Sequence, residues 1–154
     1  VTNSMAHSRA RRNPASGRAP VRRVASGFAV LLLLIGALGF VPGVTSSYPD
    51  LRLAGPGSGA RLLGLFQVSV LHNVVHLVLG VAGLALARTV AGARVFLLGA
   101  GAVYLVLWLH GLAIDRRTDA NVLAVDRAGS WLHLVLGVAM LASGLLAGRR
   151  GHAR

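Results

Sequence analysis

The chain of 154 residues contains no cysteine, no lysine and no glutamate. Without a thiol there is no disulfide, no thiolate metal site and no thioether-linked haem, and the redox state of the compartment leaves no mark on the sequence. Aromatic residues make up 5% of the chain, too few to supply stacking platforms for bases, so the formal charge of +12 does not point to a nucleic-acid partner. The acidic groups are four Asp, all of them in stretches between long uncharged runs. No glycine-rich phosphate loop, no nucleophile-elbow serine and no HExxH pair is present, and we expect no enzymatic activity.

What the chain does have is apolar length. Its residues are 55% hydrophobic and its mean hydropathy is +0.67, above the range of a soluble domain this size. Four uncharged runs stand out, at residues 24–41, 62–87, 95–114 and 131–147. Each approaches or exceeds the roughly 20 residues that span a hydrocarbon core. These bounds predict an all-α membrane protein of four transmembrane helices in an antiparallel bundle, residues 24–147. A disordered basic tail is expected at 1–23 and a basic C-terminal tail at 148–154. The second run is longer than a bilayer requires, so its first turns are expected to lie in the interface or the helix to tilt. The first loop holds a short surface element around Tyr48 to Leu53.

Every cation except histidine is Arg, and the arginines set the threading. The N-terminal tail, the second loop and the C-terminus hold eleven Arg and no Asp, whereas the first and third loops hold five Arg and all four Asp. Positive charge is retained on the cytoplasmic side. The expected location is therefore the inner (plasma) membrane, with both termini cytoplasmic. The partners are the lipid bilayer and other membrane proteins or further copies of this chain. Arg22 and Arg23 ahead of an apolar run, with Val44 and Ser46 at small-residue spacing, also fit a signal peptide cleaved near Ser46. The length of the run favours a retained first helix.

The string HLVLGVA occurs twice, at residues 76–82 and 133–139. A duplicated helix hairpin would produce such a repeat, and so would chance in an apolar sequence. In either case the spacing is informative. His72, His76, Gly80, Gly83 and Ala87 form one stripe on a helix of 3.6 residues per turn, as do Ser130, His133, Gly137, Met140 and Gly144. Small residues such as Gly80, Gly83, Gly137 and Gly144 let helices approach, so both stripes are expected to face protein. On the third helix Gly101, Tyr104, Trp108 and Gly111 share a face, with His110 displaced from it.

His72, His76, His110 and His133 all fall toward the outer ends of their helices, with His72 and His76 about 6 and 12 Å deep. Three roles are open to them. They are structural, His72, Asn73, His76 and His133 forming a polar cluster in which each imidazole bonds to a carbonyl or to Asn73, Gln67, Ser69 or Ser130. They ligate haem or a divalent metal, the i, i+4 pair His72 and His76 being completed by His133. Or they relay protons. The structural role is expected, with no cofactor. Asp115 and Asp126 are expected to pair with neighbouring Arg or to cap helices.

The stretch LLGLFQVSVLHNVVHLVLGVAGLALAR, the single-Tyr segment YLVLWLHGL and the closing SWLHLVLGVAML together resemble an actinobacterial family of small four-helix membrane proteins known only as domain of unknown function four-three-eight-three. The resemblance covers residues 62–146 and rests on His72, Asn73, His76, Gly80, His133 and Gly137. It implies four helices and a membrane location, and no assigned activity. Where the family pattern often carries an Asp-Asn pair, this chain has Gly129 and Ser130.

Overall fold

A computed structural model describes the backbone of residues 19–152 and the side chains of residues 20–147. Most of the tail expected at 1–23 and the last two residues of the chain lie outside the described residues. The elements in order are helix α1 (Ala19–Leu38), strands β1 (Thr45–Ser46), β2 (Arg61–Leu62) and β3 (Phe66–Gln67), and helices α2 (Val70–Leu86), α3 (Val90–Ala113) and α4 (Arg127–His152). A 3-10 turn at Tyr48–Asp50 occupies the first loop, where a short surface element was expected.

Three helical stretches, Pro20–Leu38, Val90–Ala113 and Arg127–Ala147, are long and apolar enough to cross a membrane, and α2 is a shorter apolar helix. Three of the four helices start with a side-chain cap. Ser69 Oγ accepts the His72 backbone N–H at 3.2 Å and Thr89 Oγ1 accepts that of Gly92 at 3.0 Å. Asp126 Oδ1 accepts that of Gly129 at 2.8 Å, so Asp126 does cap a helix. Each satisfies one of the orphan donors of a first turn.

The second helix begins at Val70, not at residue 62. Residues 61–67 instead form the β2–β3 hairpin, in which Leu62 pairs with Phe66 and Arg61 with Gln67, and β1 pairs with β2. The chain turns through left-handed backbone at Leu63 (φ 53°) and Gly64 (φ 71°), a conformation a helix cannot contain. An uncharged apolar stretch of this length fits a strand as well as a helical turn, which is why composition misplaced the boundary. Four other boundaries move outward: α1 starts at Ala19 inside the expected tail, α3 starts at Val90, and α4 extends at both ends, from Arg127 to His152.

The helices pack most closely as two pairs, α1 on α2 and α3 on α4. The pairs touch at equivalent places. A Cβ at Gly80 would meet Leu33 Cγ at 2.5 Å and the Ala29 carbonyl at 2.9 Å; one at Gly137 would meet Leu105 Cδ2 at 2.8 Å and the Gly101 carbonyl at 3.0 Å. Gly39 lies against the Asn73 side chain and Gly111 against Ser130 Oγ. Arg22 Nε donates to the Ala87 carbonyl at 3.1 Å, and Arg94 Nε to the Gly144 carbonyl at 3.4 Å. In all three comparisons α2 positions map to α4 positions 57 residues later, and α1 positions to α3 positions 72 residues later. The main core lies between the pairs, around Leu32, Leu97, Tyr104 and Met140. A second small core of Ala60, Leu62 and Val68 lies under the sheet.

A buried three-histidine cluster

Both stripes read from the sequence are buried. On α2, His72, Asn73, His76, Gly80 and Gly83 are inside, and on α4 so are Ser130, His133, Gly137, Met140 and Gly144. Their glycines do not meet one another, because Gly80 packs on α1 and Gly137 on α3. The stripes converge at their histidine ends. The ring centroids of His72 and His76 are 4.7 Å apart and edge-to-face, and those of His72 and His133 are 5.8 Å apart. One nitrogen from each of the three rings can be chosen so that all lie within 4.8 Å of one another. Tyr104 of α3 closes the group, its ring 5.2 Å from that of His133 and 6.2 Å from that of His76.

His72 is held from outside the bundle. Its Nδ1 lies 3.0 Å from the Leu123 carbonyl, which also accepts the Ser69 hydroxyl at 3.4 Å. A carbonyl can only accept, so Nδ1 carries the proton and Nε2 keeps its lone pair. The loop bearing Leu123 is itself fixed by Asn121, a buried residue to which the sequence reading gave no role. Its Nδ2 donates to the carbonyls of Arg116 (3.1 Å) and Val125 (3.2 Å), and its Oδ1 accepts the Val125 N–H at 2.9 Å. An Asn amid turn residues with local bonds to make was the available signal.

The other two histidines are not so satisfied. Among the described residues, His76 Nδ1, His133 Nδ1, the Tyr104 and Ser130 hydroxyls and both polar atoms of the Asn73 side chain are buried and make no hydrogen bond. Gln67 spends its amide on the carbonyls of Pro56 (3.2 Å) and Ser58 (2.6 Å). The bonds expected of a purely structural cluster are therefore made at His72 and not at His76 or His133 through Nδ1. Asn73 is turned toward α1, against Gly39. His110 is not brought into the group; it is exposed, with Nε2 3.2 Å from the Ala120 carbonyl.

A cavity of 140 Å³ adjoins the three rings. Its remaining wall is apolar, from Ile35 of α1, Leu62, Leu63, Phe66 and Val68 of the hairpin region, and Leu132 of α4, with Gly129 at one edge. The arrangement offers three neutral nitrogen donors on two helices, a backbone carbonyl orienting one of them, and an adjoining space without polar atoms of its own.

Three helices long and apolar enough to span a membrane, packed around a buried polar cluster, are consistent with a small helical membrane protein. The family within that class is specific: the chain belongs to the Domain of unknown function (DUF4383) family, whose model matches residues 22–146. No curated protein and no solved structure matches the chain.

Proposed function

We propose that this chain is an integral membrane protein whose four helices cross the bilayer as an antiparallel bundle of two duplicated hairpins, with a transition-metal centre formed by His72, His76 and His133. The equivalent contacts within the α1–α2 and α3–α4 pairs support the duplication. The distribution of Arg supports an inner-membrane location with both termini cytoplasmic, which puts the histidines near the outer face. The protein acts as a binding or accessory component, not as an enzyme, since no carboxylate stands within the cluster to serve as acid or base.

One observation carries the metal reading: three buried imidazoles offer nitrogens within 4.8 Å of one another, and two of the rings leave Nδ1 without a partner. Leaving a buried polar group unsatisfied costs about 1–3 kcal/mol, a cost that a bound ion offsets at several atoms together. The Leu123 carbonyl on His72 matches the outer-shell bond that orients metal-bound imidazoles. Haem fits less well. The cavity of 140 Å³ is below the roughly 300–1,000 Å³ of pockets that enclose drug-sized ligands.

The test is metal analysis of the full chain purified in mild detergent and supplied with Zn²⁺ or Co²⁺. One ion per chain is expected, lost in His76→Ala and in His133→Ala but kept in His110→Ala. Failure to retain any transition metal, with thermal stability unchanged by the ions, would sink the reading.

A further inference from the structure

The donor set restricts which ion the centre favours. Three imidazoles are neutral, and the carboxylate that caps α4, Asp126, is already engaged by Arg61 at 3.0 Å and by the Gly129 N–H at 2.8 Å. A divalent ion would keep its whole +2 charge among buried side chains, a monovalent one +1. The desolvation penalty grows with the square of the charge, so it is about four times larger for the dication. Imidazole suits copper as it suits zinc, iron and nickel, so the ligand type admits copper and the charge of the ion decides. Three protein ligands also leave a tetrahedral ion one open position.

The space beside the rings restricts what can fill that position. Ile35, Phe66, Val68 and Leu132 give the cavity a hydrocarbon wall, and its volume of 140 Å³ holds a few heavy atoms with room to spare. Apolar cavities of this size stay dry and take up small neutral molecules. Away from the three rings, an anion or a water in it would find no hydrogen-bond partner on the hydrocarbon wall, whereas a neutral diatomic needs none. The hairpin beside it exposes Leu63 and Leu65, 61% and 60% accessible, so the approach is apolar too.

Resting on the metal-centre reading above, we propose that the centre formed by His72, His76 and His133 holds copper(I) and that its open position takes a neutral diatomic molecule from the adjoining apolar cavity. Binding is simple coordination, with no electron transferred and no bond of the ligand broken.

Carbon monoxide is the probe. The full chain is purified anaerobically in mild detergent, and copper(I) and Zn²⁺ are each titrated against a competing chelator. Copper(I) is expected to bind at least about tenfold more tightly than Zn²⁺, and the copper(I) protein to show a single infrared C–O stretching band under carbon monoxide. Leu132→Trp and Ile35→Phe fill the cavity from two different helices. Each is expected to keep its copper and lose most of the band, so the test survives the misfolding of either one. Zinc held more tightly than copper overturns the choice of ion and leaves a metal centre standing. Bound copper with no band, or a band unchanged in both cavity variants, overturns the diatomic ligand. Absence of any bound metal is a failure of the reading beneath.

Discussion

Asn121 controls more of the site than its position in a loop implies. Three hydrogen bonds from one side chain fold residues 116–125 into the turn that presents the Leu123 carbonyl to His72. Truncation to Ala strands two carbonyls and an N–H, each costing about 1–3 kcal/mol where it stays buried. Loss of an outer-shell partner typically lowers metal affinity 10–100-fold. Asn121→Ala is therefore expected to melt at lower temperature in detergent and, if the proposed metal centre holds, to bind its ion at least about tenfold more weakly. Val122→Ala, one step away and half exposed, should change neither. Equal affinity in the two variants would separate the loop from the site.

At the scale of the element, the glycines of α2 and α4 set how closely each helix approaches its neighbour. Gly80 and Gly137 occupy matching positions in the repeated string, and each would drive a Cβ into a leucine and a backbone carbonyl of the adjacent helix. Overpacking of this kind costs about 1–3 kcal/mol. Gly80→Leu and Gly137→Leu should therefore destabilise to a similar extent. Gly99→Leu, on α3 with nothing within 4 Å of the added carbon, should be neutral or slightly stabilising. Thermal unfolding of the three variants checks this, and a large effect at Gly99 would contradict the packing described. The helix pattern was legible in the sequence because apolar length and 3.6-residue spacing are local properties. Residues 61–67 were not legible as a hairpin. Their apolarity suits either conformation, and the choice rests on left-handed backbone at Leu63 and Gly64 and on pairing with Thr45 and Ser46, distant in the chain.

For the whole molecule the proposed threading makes a prediction at the C-terminus. At 1.5 Å per residue, the 17 residues of α2 span about 26 Å, less than the roughly 30 Å of a hydrocarbon core. The small sheet leads into this helix, β3 ending at Gln67 and α2 beginning at Val70, and under the proposed threading it would take up the remaining depth at the outer face. Toward the opposite end, Arg22 binds the carbonyl of Ala87 at the C-cap of α2, and Arg94 binds that of Gly144 within α4. A reporter fused after Arg154 should be active only when it reads cytoplasmic exposure. Activity of a periplasm-dependent reporter at that position would reverse the threading.

The sequence by itself determined the class of protein, the number of helices, the burial of both histidine stripes and the family, because these depend on composition and on spacing along one chain. Spacing offered His133 as the partner of His72 and His76 and set His110 off its helix face; tertiary structure decided how closely the three rings converge. His110 lies near the end of its helix, as the other three do, yet it sits on the exposed side of α3, while His72, His76 and His133 converge beside Tyr104. Asn73 adjoins His72 in sequence and points to α1 instead, since neighbouring residues on a helix lie about 100° apart. The bond of the Leu123 carbonyl was likewise out of reach, for a carbonyl has no signature in sequence and the loop that presents it is placed by contacts with α2, about fifty residues earlier.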